Sequence, residues 1–154
     1  MKNRVLQLAA ATLGALLATA PAVSLERSEV PEKYQWDLGS LFAGEAQWVV
    51  AKDALKAEIP SLARWQGRLG ESPAALLGAM TDWEEANRRL ERVYVYASAV
   101  RDQDTRVARN EQMAQQAAQV YSELRTATAY LRPEILAIGR PTIDRFIAEE
   151  PRLA

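Results

Sequence analysis

The chain has 154 residues, nineteen basic and twenty acidic side chains for a formal net charge of −1, and neither histidine nor cysteine. Its length suits one domain, and 49% hydrophobic with 25% charged residues is an ordinary globular balance. Without His or Cys, the chain can build no His/Cys zinc site, Ser-His-Asp triad, Cys-His dyad or disulfide. Near-neutral charge without a basic stripe gives nucleic-acid binding no electrostatic basis.

Residues 1–22 have the pattern of a secretory signal. Lys2 and Arg4 form a positive start, Val5 to Thr19 is an apolar run rich in Ala and Leu, and Ala20-Pro21-Ala22 offers a small-x-small cleavage site. The run is shorter than the ~20 residues needed to span a bilayer. Cleavage before Val23 and a periplasmic or extracellular location are therefore expected, with no membrane association afterwards.

Residues 23–44 read as an irregular arm. Pro31 holds Val30 extended, and Trp36, Leu38, Leu41 and Phe42 are apolar anchors in a segment too short to fold alone. A first helix is expected from about Gly44 to Leu69. Trp48, Lys52, Leu55, Ile59, Leu62, Trp65 and Leu69 recur at three- and four-residue steps, with Ala51 available beside Lys52. Pro60 should kink or split it.

A second helix should start at Ser72, a good N-cap, with Pro73 at the first helical position. Its apolar face reads Leu76, Leu77, Met80, Trp83, Leu90, Val93, Tyr94, Ala97 and Val100, with a gap at Ala86 and Asn87. Asp102-Gln103-Asp104-Thr105 reads as a turn whose carboxylates and hydroxyl cap a third helix, about Thr105 to Leu131. Val107, Met113 or Ala114, Ala117, Val120 or Tyr121, Leu124, Thr128 and Leu131 would line its inner face. The Ala- and Gln-rich stretch 114–119 points to close helix packing. Pro133 should end that helix or open a short turn, and Thr142 could cap a last short helix carrying Ile143, Phe146 and Ile147. The expected fold is all-α: a long antiparallel hairpin with a kinked helix against it, an irregular N-terminal arm and an incomplete C-terminal end.

Four groups of residues could carry chemistry. Asp102 and Asp104 resemble the opening of a calcium loop, but Arg106 and Arg109 stand where further ligands belong. Glu84, Glu85 and Glu91 share a helix, but a di-iron site also needs Glu-x-x-His motifs, and Arg88, Arg89 and Arg92 suit surface ion pairs. Ser28 with Lys33 could be written as a hydrolytic dyad, although Lys33 sits in a charged arm rather than the buried setting such a lysine needs. Tyr94 and Tyr96, below Trp83, could line a peptide groove. Packing is the plainer role for aromatics at helical spacing, and Tyr96, which falls off the apolar face, is the better candidate for a functional contact. No catalytic, cofactor-binding or metal residue is assigned.

Several motifs, in order, resemble one family. Arg27-Ser28-Glu29-Val30-Pro31-Glu32-Lys33-Tyr34-Gln35-Trp36-Asp37-Leu38 is similar to the entry segment of oligoendopeptidase F–type (thimet-like) zinc metallopeptidases. Leu69-Gly70-Glu71-Ser72 with Leu76-Leu77, Leu90 to Ala97, Asp102 to Thr105, Pro133 to Ile138 and Phe146 to Pro151 continue the likeness. The resemblance implies a helical zinc peptidase that cleaves short peptides in a closed channel, through an H-E-x-x-H helix with a downstream glutamate. Zinc is implied for the full-length family only. None of those residues can be placed here, so residues 23–154 are expected to be an N-terminal lobe, truncated before the catalytic part and inactive by itself. An independent exported module that binds a peptide or protein is the alternative. Self-association through unpaired apolar faces is a third possibility.

Overall fold

The computed structural model describes residues 29–154; the signal pattern at 1–22, and Arg27 and Ser28, lie outside them. The described residues form five α-helices and no strand: α1 Glu45–Glu58, α2 Pro73–Gln103, α3 Ala108–Ala127, α4 Leu131–Ile138 and α5 Arg140–Glu149. The all-α expectation holds. Among the described residues, no helix is long and apolar enough to cross a membrane.

The second and third helices form the expected antiparallel hairpin. Ala86 and Leu90 of α2 pack with Val120 and Leu124 of α3, while Val93 and Ala97 pack with Met113 and Ala117. Ala97 and Ala117 are fully buried, and small residues at a seam let two helix axes approach closely. Helix α1 runs antiparallel to α2, with Trp48 beside Val93 and Leu55 beside Leu90. It also runs alongside α3, where Glu45 pairs with Arg109 and Lys56 with Glu123. The result is a three-helix bundle. Fully burying a Leu contributes about 1.5–3 kcal/mol, so Leu55 and Leu124 hold the centre.

Pro60 acts as expected. It has no N–H for the next helical bond, so α1 stops at Glu58 and the chain continues as a 3₁₀ segment, Ile59–Trp65. Ile59 and Leu62 stay on the buried face. The Tyr130 hydroxyl donates to the Leu62 carbonyl at 2.7 Å, supplying a partner where the helical ladder is broken. Gly67, at φ +78°, then turns the chain, and its N–H donates to Glu134.

Helix α2 begins as read: the Ser72 side chain accepts from the Ala75 N–H, with Pro73 at the first position. Other caps differ. Helix α3 starts three residues late, after Val107, without a side-chain cap. Asp104 accepts instead from the Arg106 N–H at 2.9 Å, within the turn. Val107 is exposed, because it precedes the helix rather than lying on its inner face. Pro133 sits inside the first turn of α4, where its missing N–H costs no helical bond. Helix α5 begins at Arg140 after Gly139, at φ +79°, and Thr142 caps nothing. Phe146 folds α5 back against Leu69 and Leu76, covering the start of α2.

The arm is held by fewer anchors than expected. Leu38, Leu41 and Phe42 pack against the Trp48–Val93–Ala97 cluster. Phe42 meets Tyr96 edge-on at 5.3 Å, and Arg92 donates to the Leu41 carbonyl at 2.9 Å. Trp36, an expected anchor, remains 57% exposed.

Candidate functional site

Helix α2 is broad-faced. Its core side carries Ala79, Ala86, Leu90, Val93 and Ala97, and Ala86, read from sequence as a gap, is buried. The bulky residues of α2 carry its apolar periodicity, whereas the packed seam uses alanines. The stripe therefore rotates, and several large residues move towards solvent. Met80 and Trp83 are half-buried and Tyr94 is 42% exposed. Tyr96 moves the other way: it is only 7% exposed and packs under Phe42. Tyr96 is thus a core residue, and Tyr94 is the exposed aromatic. Burial pushes the Tyr96 hydroxyl pKa up, with Glu45 adding to the shift.

Among the described residues, surface depressions flank this helix. One of about 610 Å³ lies between the arm and the end of α2, where Glu32, Gln35 and Asp37 face Phe42, Tyr96 and Val100. A second, about 430 Å³, is lined by Trp36, Leu38, Tyr94, Val95, Ser98, Ala99 and Asp102. Tyr121 of α3 extends its aromatic rim, with its ring 6.0 Å from that of Tyr94. A third, about 260 Å³, lies between α2 and α4 and is lined by Met80, Trp83, Leu131, Arg132, Ile135 and Leu136. These surfaces can take apolar side chains.

Several of the polar candidates have local partners. Asp104 accepts two bonds from the Arg106 guanidinium, at 2.9 and 2.8 Å, and one from its backbone N–H. The guanidinium contact, then the backbone bond, lowers the Asp104 pKa to about 2. Asp102 pairs with Arg101 at 2.8 Å. Glu84 pairs with Arg88 one turn on, while Glu85 and Glu91 are exposed. Lys33 lies over the Tyr34 ring at 4.8 Å, exposed, and Ser28 is outside the described residues.

The residues present do not fit a zinc ion. The sequence has no His or Cys, and among the described residues no three His, Cys, Asp or Glu side chains are grouped to hold a metal. No buried side-chain nitrogen or oxygen among them lacks a hydrogen-bond partner.

Comparison with known proteins identifies relatives. The chain is 35% identical over 128 residues to Oligopeptidase PepF of Bacillus subtilis (strain 168), covering 83% of this chain and 19% of that protein. It is 34% identical over 131 residues to Group B oligopeptidase PepB of Streptococcus agalactiae serotype III (strain NEM316), covering 85% and 22%. It is 29% identical over 128 residues to the plasmid Oligoendopeptidase F of Lactococcus lactis subsp. cremoris, covering 82% and 21%. No family model and no solved structure matches the chain. The chain spans 19–22% of the length of these curated relatives. Over that shared part, it belongs to the oligoendopeptidase F family.

Proposed function

We propose that this chain is the non-catalytic helical lobe of an oligoendopeptidase F–type peptidase, walling the space in which short peptides are cut. The observation that carries this reading is the 35% identity over 83% of the chain to a protein of which the match is only 19%. The His-free composition supports it, because an H-E-x-x-H zinc site cannot be written with these residues. In this reading the zinc, the water-activating glutamate and peptide cleavage belong to other parts of the polypeptide. The bundle contributes a rigid wall.

The test is hydrolysis of a quenched peptide by the purified 154-residue protein, with added zinc and with chelator. No chelator-sensitive cleavage is expected; such cleavage by a clean preparation would overturn the non-catalytic assignment. Export is part of the same proposal and rests on the pattern of Lys2, Arg4, the apolar run and Ala20-Pro21-Ala22. Sequencing the N-terminus of the protein from the extracytoplasmic fraction should find Val23 first, whereas a product retained in the cytoplasm with an intact start would refute export.

The exposed groove of Trp36, Tyr94 and Val95 favours a second reading, an independent exported module that binds apolar peptide. A native product no longer than 154 residues that saturably binds such a peptide would select it.

A further inference from the structure

The groove between α2 and α4 has properties that the bundle does not use. Leu136 is 71% exposed, the most exposed large apolar side chain among the described residues, and it stands at the edge of a pocket lined by Met80, Trp83, Leu131 and Ile135. The pocket, about 260 Å³, is smaller than the ~300–1,000 Å³ of small-molecule sites. Its scale suits a protein side chain.

Its charge is also distinctive. Arg132, one helical turn before Leu136, is the only charged residue among the described residues lining the pocket. Most arginines of this chain are paired internally, among them Arg64 with Asp82, Arg89 with Glu58 and Arg140 with Asp144. Arg132 forms no ion pair among the described residues. An apolar pocket with an unpaired guanidinium at its rim is complementary to an apolar side chain flanked by a carboxylate.

We infer that this groove is the docking surface for another segment of the same polypeptide, one that presents an apolar side chain with a neighbouring Asp or Glu. The inference rests on the lobe reading above. The occupant is argued from length: the relatives extend well beyond the 19–22% that this chain matches. A covalently linked segment also meets the groove at an effective concentration of about millimolar, which a second molecule seldom reaches. Docking would remove Leu136 and the Trp83 edge from water and pair Arg132.

The chain has no cysteine, so a thiol introduced at one position can be followed by labelling. Leu136→Cys and, as an equally exposed reference on α1, Val50→Cys would be placed in the native gene. The cell-made protein would be sized by immunoblot and labelled with maleimide, and the labelled peptide read by mass spectrometry. The expected result is a product much longer than 154 residues in which the Leu136→Cys thiol labels roughly tenfold slower than the Val50→Cys thiol. The difference should vanish on denaturation and persist on dilution. A long product with equal labelling rates overturns the docking surface and leaves the lobe reading standing. A product of only 154 residues overturns both. Protection that disappears on dilution assigns the groove to a second copy and overturns the proposal.

Discussion

The indole of Trp65 occupies the space that a side chain at Gly78 would need: a Cβ there would lie 2.7 Å from Trp65 Cη2 and 2.8 Å from Cζ2. The ring cannot easily move, because its Nε1 donates to Asp82 at 2.5 Å. Inside α2, Gly78 should be unfavourable by about 1 kcal/mol relative to Ala. Here that cost is accepted so that the 3₁₀ segment after Pro60 can lie flat on α2.

Gly78→Ala should therefore destabilise the protein by about 1 kcal/mol, since an overpacking cost of about 1–3 kcal/mol outweighs the helix-propensity gain. In a Trp65→Leu background the same change should become stabilising. Urea unfolding of the four proteins in that cycle tests the pair. Equal effects of Gly78→Ala in both backgrounds would refute the contact.

Trp48 is fully buried, and its Nε1 donates to the Val93 carbonyl of α2 at 2.8 Å. Trp48→Phe keeps most of the ring but removes this bond, at an expected cost of about 1–2 kcal/mol. Trp48→Ala also leaves a cavity where α1, α2 and the arm meet, and should cost about 3–5 kcal/mol. Chemical unfolding should rank the variants in that order.

Ser72→Ala removes the acceptor for the Ala75 N–H at the start of α2. A loss of about 1 kcal/mol is expected, largely restored by Ser72→Asp. Thr142→Ala should change nothing measurable by comparison, because Thr142 caps no helix. Parallel thermal melts of the three variants check this.

Asp104 titrates at about 2, below its ordinary 3.8, because the Arg106 side chain and backbone both donate to its carboxylate. Its folded pKa lies below its unfolded one. The contribution to stability is thus fully present above about pH 4 and is lost as pH falls towards 2. An NMR titration of the Asp104 carboxyl should give the low midpoint, and Arg106→Ala should return it towards 3.8. A midpoint unmoved by Arg106→Ala would refute this cause.

The sequence determined much that is local. Ser72 and Pro73 set the start of α2 because a cap and a fixed φ act within one turn. Pro60 set the end of α1 because a missing N–H cannot be supplied by later packing. The absence of His and Cys settled which sites cannot be built here, since that depends only on atoms present. Several decisions were left to tertiary structure. Periodicity assigned Tyr94 to the inside and Tyr96 to the outside, but alanine seams let α1 and α3 close on α2, turning its buried stripe towards Ala86 and Tyr96. Neither the shape of the pocket beside Leu136 nor the close approach of Trp65 to Gly78 has a sequence signature. Each joins elements distant along the chain, and only the angle at which those helices meet decides which large side chains are covered and which remain in water.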